Sequence, residues 1–208
     1  MTKLLYLASQ SPRRRQLLTQ IGVRHELLLP GADEDGEALE QGIAGEAAAA
    51  YVERVTLAKL AAARERLTKR GLPAAPILCA DTTVVLGEGA DERILGKPAD
   101  DEDAAHMLEA LSGRTHRVLT AVAVVEGPHP AFAPQVVVQQ SVVRLRVLAS
   151  DEIVRYVASG ESQGKAGAYA IQSQAGAWIE HIEGSYSGIM GLPLFETAQL
   201  LRPLGWQF

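Results

Sequence analysis

Leu4-Leu5-Tyr6-Leu7-Ala8-Ser9-Gln10-Ser11-Pro12-Arg13-Arg14-Arg15 is an apolar run that gives way to hydroxyls, a proline and three arginines, and Leu17, Leu18 and Ile21 follow at helical spacing. It reads as strand, tight loop, helix. Ser11 suits an N-cap, Pro12 the first helical turn with its fixed φ and missing donor, and Gly22 a left-handed helix end. Cations near a helix N-terminus are disfavoured by roughly 0.3–1 kcal/mol each, because the dipole already places partial positive charge there. Arg13, Arg14 and Arg15 therefore call for something negative. Backbone N–H groups, the Ser9 and Ser11 hydroxyls and guanidinium forks that match phosphate oxygens two at a time form an anion site.

Outward from this stretch, strand and helix patterns alternate. His25 to Leu29 reads as a short strand, followed by the acidic cluster Asp33-Glu34-Asp35. Ile43 to Lys69 reads as the longest helix, ended by Gly71-Leu72-Pro73. Arg54 and Lys59 stand five residues apart on it, some 140° in azimuth, so they need not share a target. Ile77 to Leu86 is an apolar β-type run interrupted by Asp81, Thr82 and Thr83. An Asp there has poor β propensity and a large desolvation cost unless it is paired or faces a cleft. Lys97 sits between Gly96 and Pro98, on a loop whose restricted backbone can aim its ammonium. A helix capped by Asp100 and Asp101 runs to Leu111. Val118–Val125 and Val136–Leu148 read as an antiparallel pair, and Ser150-Asp151-Glu152 caps a further helix. Gly164 to Gln172 reads as loop running into strand, Trp178 to Ile182 as a strand, Gly184 to Pro193 as a loop of small residues, and Leu194 to Leu201 as the last helix.

With 208 residues, 47% of them hydrophobic, the chain can bury a full core, and the pattern is that of an α/β fold. A net charge of −5 disfavours a nucleic-acid polymer as partner and requires any polyanion to be met by a local basic patch. The single Cys79 excludes an internal disulfide and suits a reducing, cytoplasmic compartment. No apolar run reaches the roughly 18–20 residues of a membrane span, and the N-terminal run is too short for a secretory leader.

The cations and carboxylates together suggest one kind of chemistry. Arg13, Arg14, Lys59 and Lys97 could neutralise a polyphosphate while Glu34 and Asp81 hold a divalent metal, Mg²⁺ or Mn²⁺, or an attacking water. Zinc-ligand spacing, a Walker A sequence and a G-x-S-x-G elbow are all missing from the sequence. Attack at an α-phosphorus would expel pyrophosphate, with the cations stabilising the charge that gathers on the leaving group.

Ser9-Gln10-Ser11-Pro12-Arg13-Arg14, Ala80-Asp81-Thr82-Thr83-Val84, Gly96-Lys97-Pro98, Leu111-Ser112-Gly113, Lys165-Ala166-Gly167-Ala168-Tyr169 with Ile171-Gln172, and Gly191-Leu192-Pro193-Leu194 occur in this order. The set resembles the Maf family of nucleoside triphosphate pyrophosphatases from about residue 3 to residue 201. The resemblance implies a single domain over residues 1–208 with an elongated mixed sheet, helices on both sides and two lobes around a nucleotide groove, as in inosine triphosphatases. It implies metal-dependent hydrolysis of a nucleoside triphosphate to the monophosphate and pyrophosphate, with Asp81 as proton acceptor. Glu34, Lys59 and Lys97 match positions lining the triphosphate and metal site, Arg14 a further contact, and Arg13, Thr82 and Gln172 positions tied to substrate choice. Thr82 and Ala168-Tyr169-Ala170-Ile171-Gln172 resemble the branch acting on dTTP and UTP. A Gln amide can pair with O4 and N3–H of thymine or uracil. Ala170 and Ser173 stand where relatives of this branch often have Gly, and Ser187-Gly188-Ile189-Met190 replaces a more usual Asn-Val-Val. The alternatives are the same reaction on 7-methyl-GTP, or a non-catalytic nucleotide-binding regulator of septum formation. Relatives are often dimers, so a homodimer is the assembly implied.

Overall fold

Burial along the strands follows their apolar runs. In a computed structural model that describes residues 3–31, 34, 36 and 38–208, strand β1 (Leu5–Leu7) is buried throughout and β3 (Ile77–Leu86) at every position except Asp81 and Thr82. Such runs belong to strands covered on both faces. Asp33 and Asp35 of the expected acidic cluster lie outside the described residues. β1 pairs in parallel with β2 (His25–Leu27), Leu5 opposite His25, and with β3, Tyr6 opposite Ile77 and Leu7 opposite Leu78. With β4 (Arg93–Leu95), β5 (Thr115–Val125), β6 (Gln135–Leu145) and β7 (Ile179–Glu183) these form a seven-stranded sheet. The order is β2-β1-β3-β5-β6-β7, with β4 antiparallel to β3 and β7 antiparallel to β6. The class is the mixed α/β fold expected from the alternating patterns.

Helices α1 (Pro12–Gln20), α2 (Ala48–Lys69), α3 (Asp101–Leu111), α4 (Ser150–Ala158), α5 (Tyr186–Ile189) and α6 (Leu194–Leu201) complete the fold. None of the described helices is long and apolar enough to cross a membrane. The chain divides into two units. The first holds Met1–Asp81, Thr120–Gln139 and Gly191–Phe208, and the second Thr82–Leu119 and Gln140–Met190. In the first unit Leu60, Ala63 and Leu67 of α2 pack with Tyr6, Leu28, Ile77, Cys79, Ala123 and Val125 into one buried cluster. In the second, α3 packs on α4.

Helix ends follow their chemistry, and several segments depart from the sequence expectations. Gly22 is left-handed at φ +72°, and the N–H groups of Gly22 and Val23 bond the carbonyls of Thr19 and Leu18, both at 3.0 Å, the paired closure of a Schellman end. Ser11 makes no side-chain cap, and its own N–H donates instead to Ser9 Oγ at 3.2 Å. α2 starts at Ala48, five residues later than its apolar pattern, because Ile43–Glu46 closes a turn of its own. Ala166–Ala168 forms a short 3₁₀ turn and residues 169–172 hold no strand, where Gly164 to Gln172 reads as loop running into strand, and Tyr186–Ile189 forms one helical turn, capped by Ser185 Oγ, where a loop was expected. β3 is continuous through Asp81, which breaks the buried run, as its sequence implies, without breaking the strand.

At α3 two carboxylates close the helix start. Asp100 Oδ1 accepts from the Asp103 N–H at 2.8 Å, and Asp103 Oδ2 accepts from the Ala99 N–H at 2.9 Å. Asp100→Ala should therefore lower stability by about 0.5–2 kcal/mol, read as a shift in the denaturant midpoint with an unchanged slope.

Candidate active site

The β1–β3 ladder continues past Leu7, the Ala8 N–H donating to the Leu78 carbonyl at 2.9 Å, and so fixes the loop that carries Ser9 and Ser11 into α1. Ser9 is buried. Its hydroxyl accepts from Arg14 Nη1 at 3.1 Å, while Arg14 Nε donates to the Gly191 carbonyl at 2.7 Å. The Arg14 guanidinium is thereby folded back across its own helix start. Desolvation holds its pKa below the ordinary arginine value, and the charges of Asp81 and Glu40 oppose that shift, so those carboxylates lie within its electrostatic reach.

Asp81 is half-buried in the middle of β3, and its pairing solves the desolvation problem. Lys59, reaching from α2, donates to Asp81 Oδ1 at 2.5 Å and to Glu40 Oε1 at 2.7 Å, so one ammonium serves two carboxylates. The Asp81 and Lys59 side chains keep only 13% and 21% of their exposure, and breaking such a pair by removing one partner costs roughly 3–5 kcal/mol when it is buried. Tyr51, two turns before Lys59 on the same helix, donates its hydroxyl to the Glu40 carbonyl at 2.9 Å. Arg54 grips Glu46 with two bonds of 2.7 Å and the Gln41 carbonyl with one of 2.9 Å. Arg54 and Lys59 thus serve different targets, as their azimuths allow.

Glu34 is engaged elsewhere on α2. The nearly buried Arg66 donates Nη2 to Glu34 Oε2 at 2.5 Å and Nε to both carboxylate oxygens, while its Nη1 bonds the Leu28 carbonyl at 2.8 Å. These bonds to Arg66, with one from the Gly31 N–H, hold the Glu34 carboxyl at about 2. The structure therefore brings together Ser9, Arg14, Lys59 and Asp81, with Ser11 and Arg13 on the same loop and helix start. It adds Glu40 and Tyr51, which the sequence reading did not single out. Tyr51 was findable, since it shares a helical face with Lys59; Glu40 was not, because nothing in its spacing distinguishes it from Glu34, Glu37 or Glu46.

Thr82, Lys97 and Gln172 belong to the second unit. There the Gly167 N–H donates to the Gly96 carbonyl at 3.0 Å, which ties the Gly96-Lys97-Pro98 loop to the Lys165–Tyr169 stretch. Gln172 and Lys97 are exposed and Thr82 is half-buried.

Residues 4–204 match the family model described as Maf-like protein. Over 207 residues, all of this chain and all of the relative, the chain is 58% identical to a protein of Albidiferax ferrireducens named dTTP/UTP pyrophosphatase. Over 199 residues, 96% of this chain and 92% of the relative, it is 61% identical to a protein of the same name from Burkholderia orbicola. A solved nucleoside-triphosphatase, dITP/XTP pyrophosphatase, from Mycobacterium abscessus is similar over 68% of this chain and 74% of that one, with 18% identity and a TM-score of 0.40.

The Glu34–Arg66 contact sets a pH window for stability. Because the folded carboxyl sits at about 2 against an ordinary 4.5, its contribution is fully present above about pH 4.5 and is lost as pH falls through about 2. Wild type should lose stability across that interval, and Glu34→Gln should show a shallower loss, measured as denaturant midpoints from pH 5 down to about pH 2.

Proposed function

The chain belongs to the Maf-like family, and from that premise we propose that it hydrolyses nucleoside triphosphates, dTTP and UTP foremost, to the monophosphate and pyrophosphate. The observation that carries the reading is Asp81, the one charged side chain of β3, paired with the Lys59 ammonium at 2.5 Å and with the Arg14 guanidinium in electrostatic reach. Asp81 accepts the proton of the attacking water as its oxygen bonds to the α-phosphorus and the bond to the bridging oxygen of pyrophosphate breaks. With Oδ1 held on Lys59, a carboxylate still has acceptor capacity beyond that one bond. Arg13, Arg14 and Lys97 offset the charge of the triphosphate and of the departing pyrophosphate. Ser9 and Ser11 hold the phosphate loop. Thr82 and Gln172 select the base.

Asp81 and Glu40 fit a divalent cation such as Mg²⁺ or Mn²⁺. Both are hard oxygen donors drawn to one positive group, and such ions are commonly held by one or two carboxylates with substrate oxygens completing the shell. When bound, that cation would supply charge neutralisation at the phosphates and acidify a water. Glu34 secures its loop through Arg66. The setting is cytoplasmic, in keeping with the single buried Cys79. The assembly is a homodimer, and no nucleic-acid polymer takes part.

Pyrophosphate release from dTTP, UTP, CTP and 7-methyl-GTP with Mg²⁺ or Mn²⁺ tests the reading. Wild type should turn over dTTP and UTP, and Asp81→Asn should lose on the order of 10²–10⁴ in rate. Turnover of 7-methyl-GTP alone would overturn the roles given to Thr82 and Gln172, and tight binding without turnover would point to a regulator. Glu40→Gln should raise the metal concentration needed for half-maximal rate; if Glu34→Gln does so instead, the second carboxylate is Glu34.

A further inference from the structure

The stretch from Gly167 to Ser173 is built like a clamp with one side chain let out. Ala168, Tyr169, Ala170 and Ile171 are all buried, and Gln172, the next residue, is exposed. Gly167 and Ala168 stand consecutively in the left-handed region at φ +66° and +60°, and Ala168 is the single such non-glycine among the described residues. A left-handed alanine costs roughly 1–2 kcal/mol and persists where its surroundings dictate it. Here they do. A Cβ on Gly167 would lie 2.9 Å from Val84 Cγ2, so the backbone is pressed against β3, and the Gly167 N–H is held by the Gly96 carbonyl. At the far end the Ser173 N–H and Oγ both donate to the Ala170 carbonyl, at 3.1 and 2.9 Å.

The centre of the clamp is a buried polar pair. His116 on β5 is 2% exposed, and its Nε2 lies 2.7 Å from the Tyr169 hydroxyl, the rings edge to face with centroids 5.5 Å apart. Burial pushes the imidazole down to about 4 and raises the phenol, so near neutral pH the imidazole is neutral and Tyr169 carries its proton. The phenol and Nε2 therefore share one hydrogen bond between two neutral groups. Neither group has a part in the hydrolysis derived above.

Base selection explains why such rigidity is needed. Thymine and uracil present an O4 acceptor and an N3–H donor, whereas cytosine presents the reverse, an N4–H₂ donor and an N3 acceptor. A Gln amide matches either pattern, since turning it over exchanges its own donor and acceptor. An amide on a loose loop would thus accept both. Discrimination requires the amide to be held in one place and one orientation, and a fixed backbone is the first condition for that.

We propose that His116 is a positioning residue for base choice, its bond to Tyr169 holding the Gly167–Ser173 segment so that Gln172 favours thymine and uracil over cytosine. This rests on the base-selecting reading of Gln172.

The test compares kcat and KM for dTTP, UTP and CTP in wild type, His116→Phe, Tyr169→Phe, the double variant, His116→Gln and Gln172→Ala, with thermal unfolding of each. The ratio of kcat/KM for dTTP over CTP should fall roughly tenfold to a hundredfold in His116→Phe and in Tyr169→Phe, through KM. The double variant should be no worse than either single one, and His116→Gln, which keeps a hydrogen-bonding partner for the phenol, should recover most of the ratio. An unchanged ratio in both single variants while Gln172→Ala lowers it would overturn the positioning role and leave the Gln172 reading standing. If Gln172→Ala leaves the ratio unchanged, the reading of Gln172 falls and this inference with it. Losses that follow melting temperature, equal for all three substrates, would make the pair purely structural and overturn the proposal.

Discussion

A charged carboxylate in the middle of an apolar strand is the constraint on which the rest of the first unit depends. Asp81 interrupts a run in which every other position except Thr82 is buried, and its desolvation is offset by the Lys59 ammonium at 2.5 Å. That ammonium must come from a helix long enough to pass over the sheet and rigid enough to hold it there. α2 meets both needs, because Leu60, Ala63 and Leu67 anchor it in the buried cluster beneath. The apolar face and the polar contacts of one helix are therefore parts of one requirement.

α2 also organises the irregular chain before it. Lys59 and Tyr51 hold Glu40, Arg54 holds Gln41 and Glu46, and Arg66 holds Glu34 and Leu28. These bonds share out the cations of the helix among separate acceptors at different heights, which keeps Arg66 from competing for Asp81. Glu34 and Glu40 illustrate the outcome. Both are partly exposed glutamates, but Glu34 lies on a guanidinium fork, with its carboxyl held at about 2, and Glu40 shares an ammonium with Asp81.

Much of the fold could be read from the sequence, because burial on both faces imposes continuous apolar runs such as Leu5–Leu7 and Ile77–Leu86, and because Pro12, Gly22 and Asp100 mark helix ends by local chemistry. Periodicity failed where hydrogen bonds decide. The apolar spacing continues back to Ile43, yet Ile43–Glu46 closes a separate turn, and Ala168–Gln172 has strand-like residues while its backbone is forced left-handed at Gly167 and Ala168. At the site, Asp81 was conspicuous for its cost, and Ser9 and Arg14 for their motif. Glu40 and Arg66 carry no such mark: their partners lie 19 and 32 residues away, and pairings over that distance are fixed by packing that spacing does not encode.

Cys79 is fully buried two residues before Asp81, with its thiol pushed up to about 12 by desolvation despite the neighbouring cations Arg14, Arg66 and Lys59. Peroxides and electrophiles act on exposed thiolates, and this sulfur offers neither the charge nor the access. The strand position beside Asp81 thus holds a cysteine that serves packing, its sulfur closed to oxidants both by burial and by the proton it keeps.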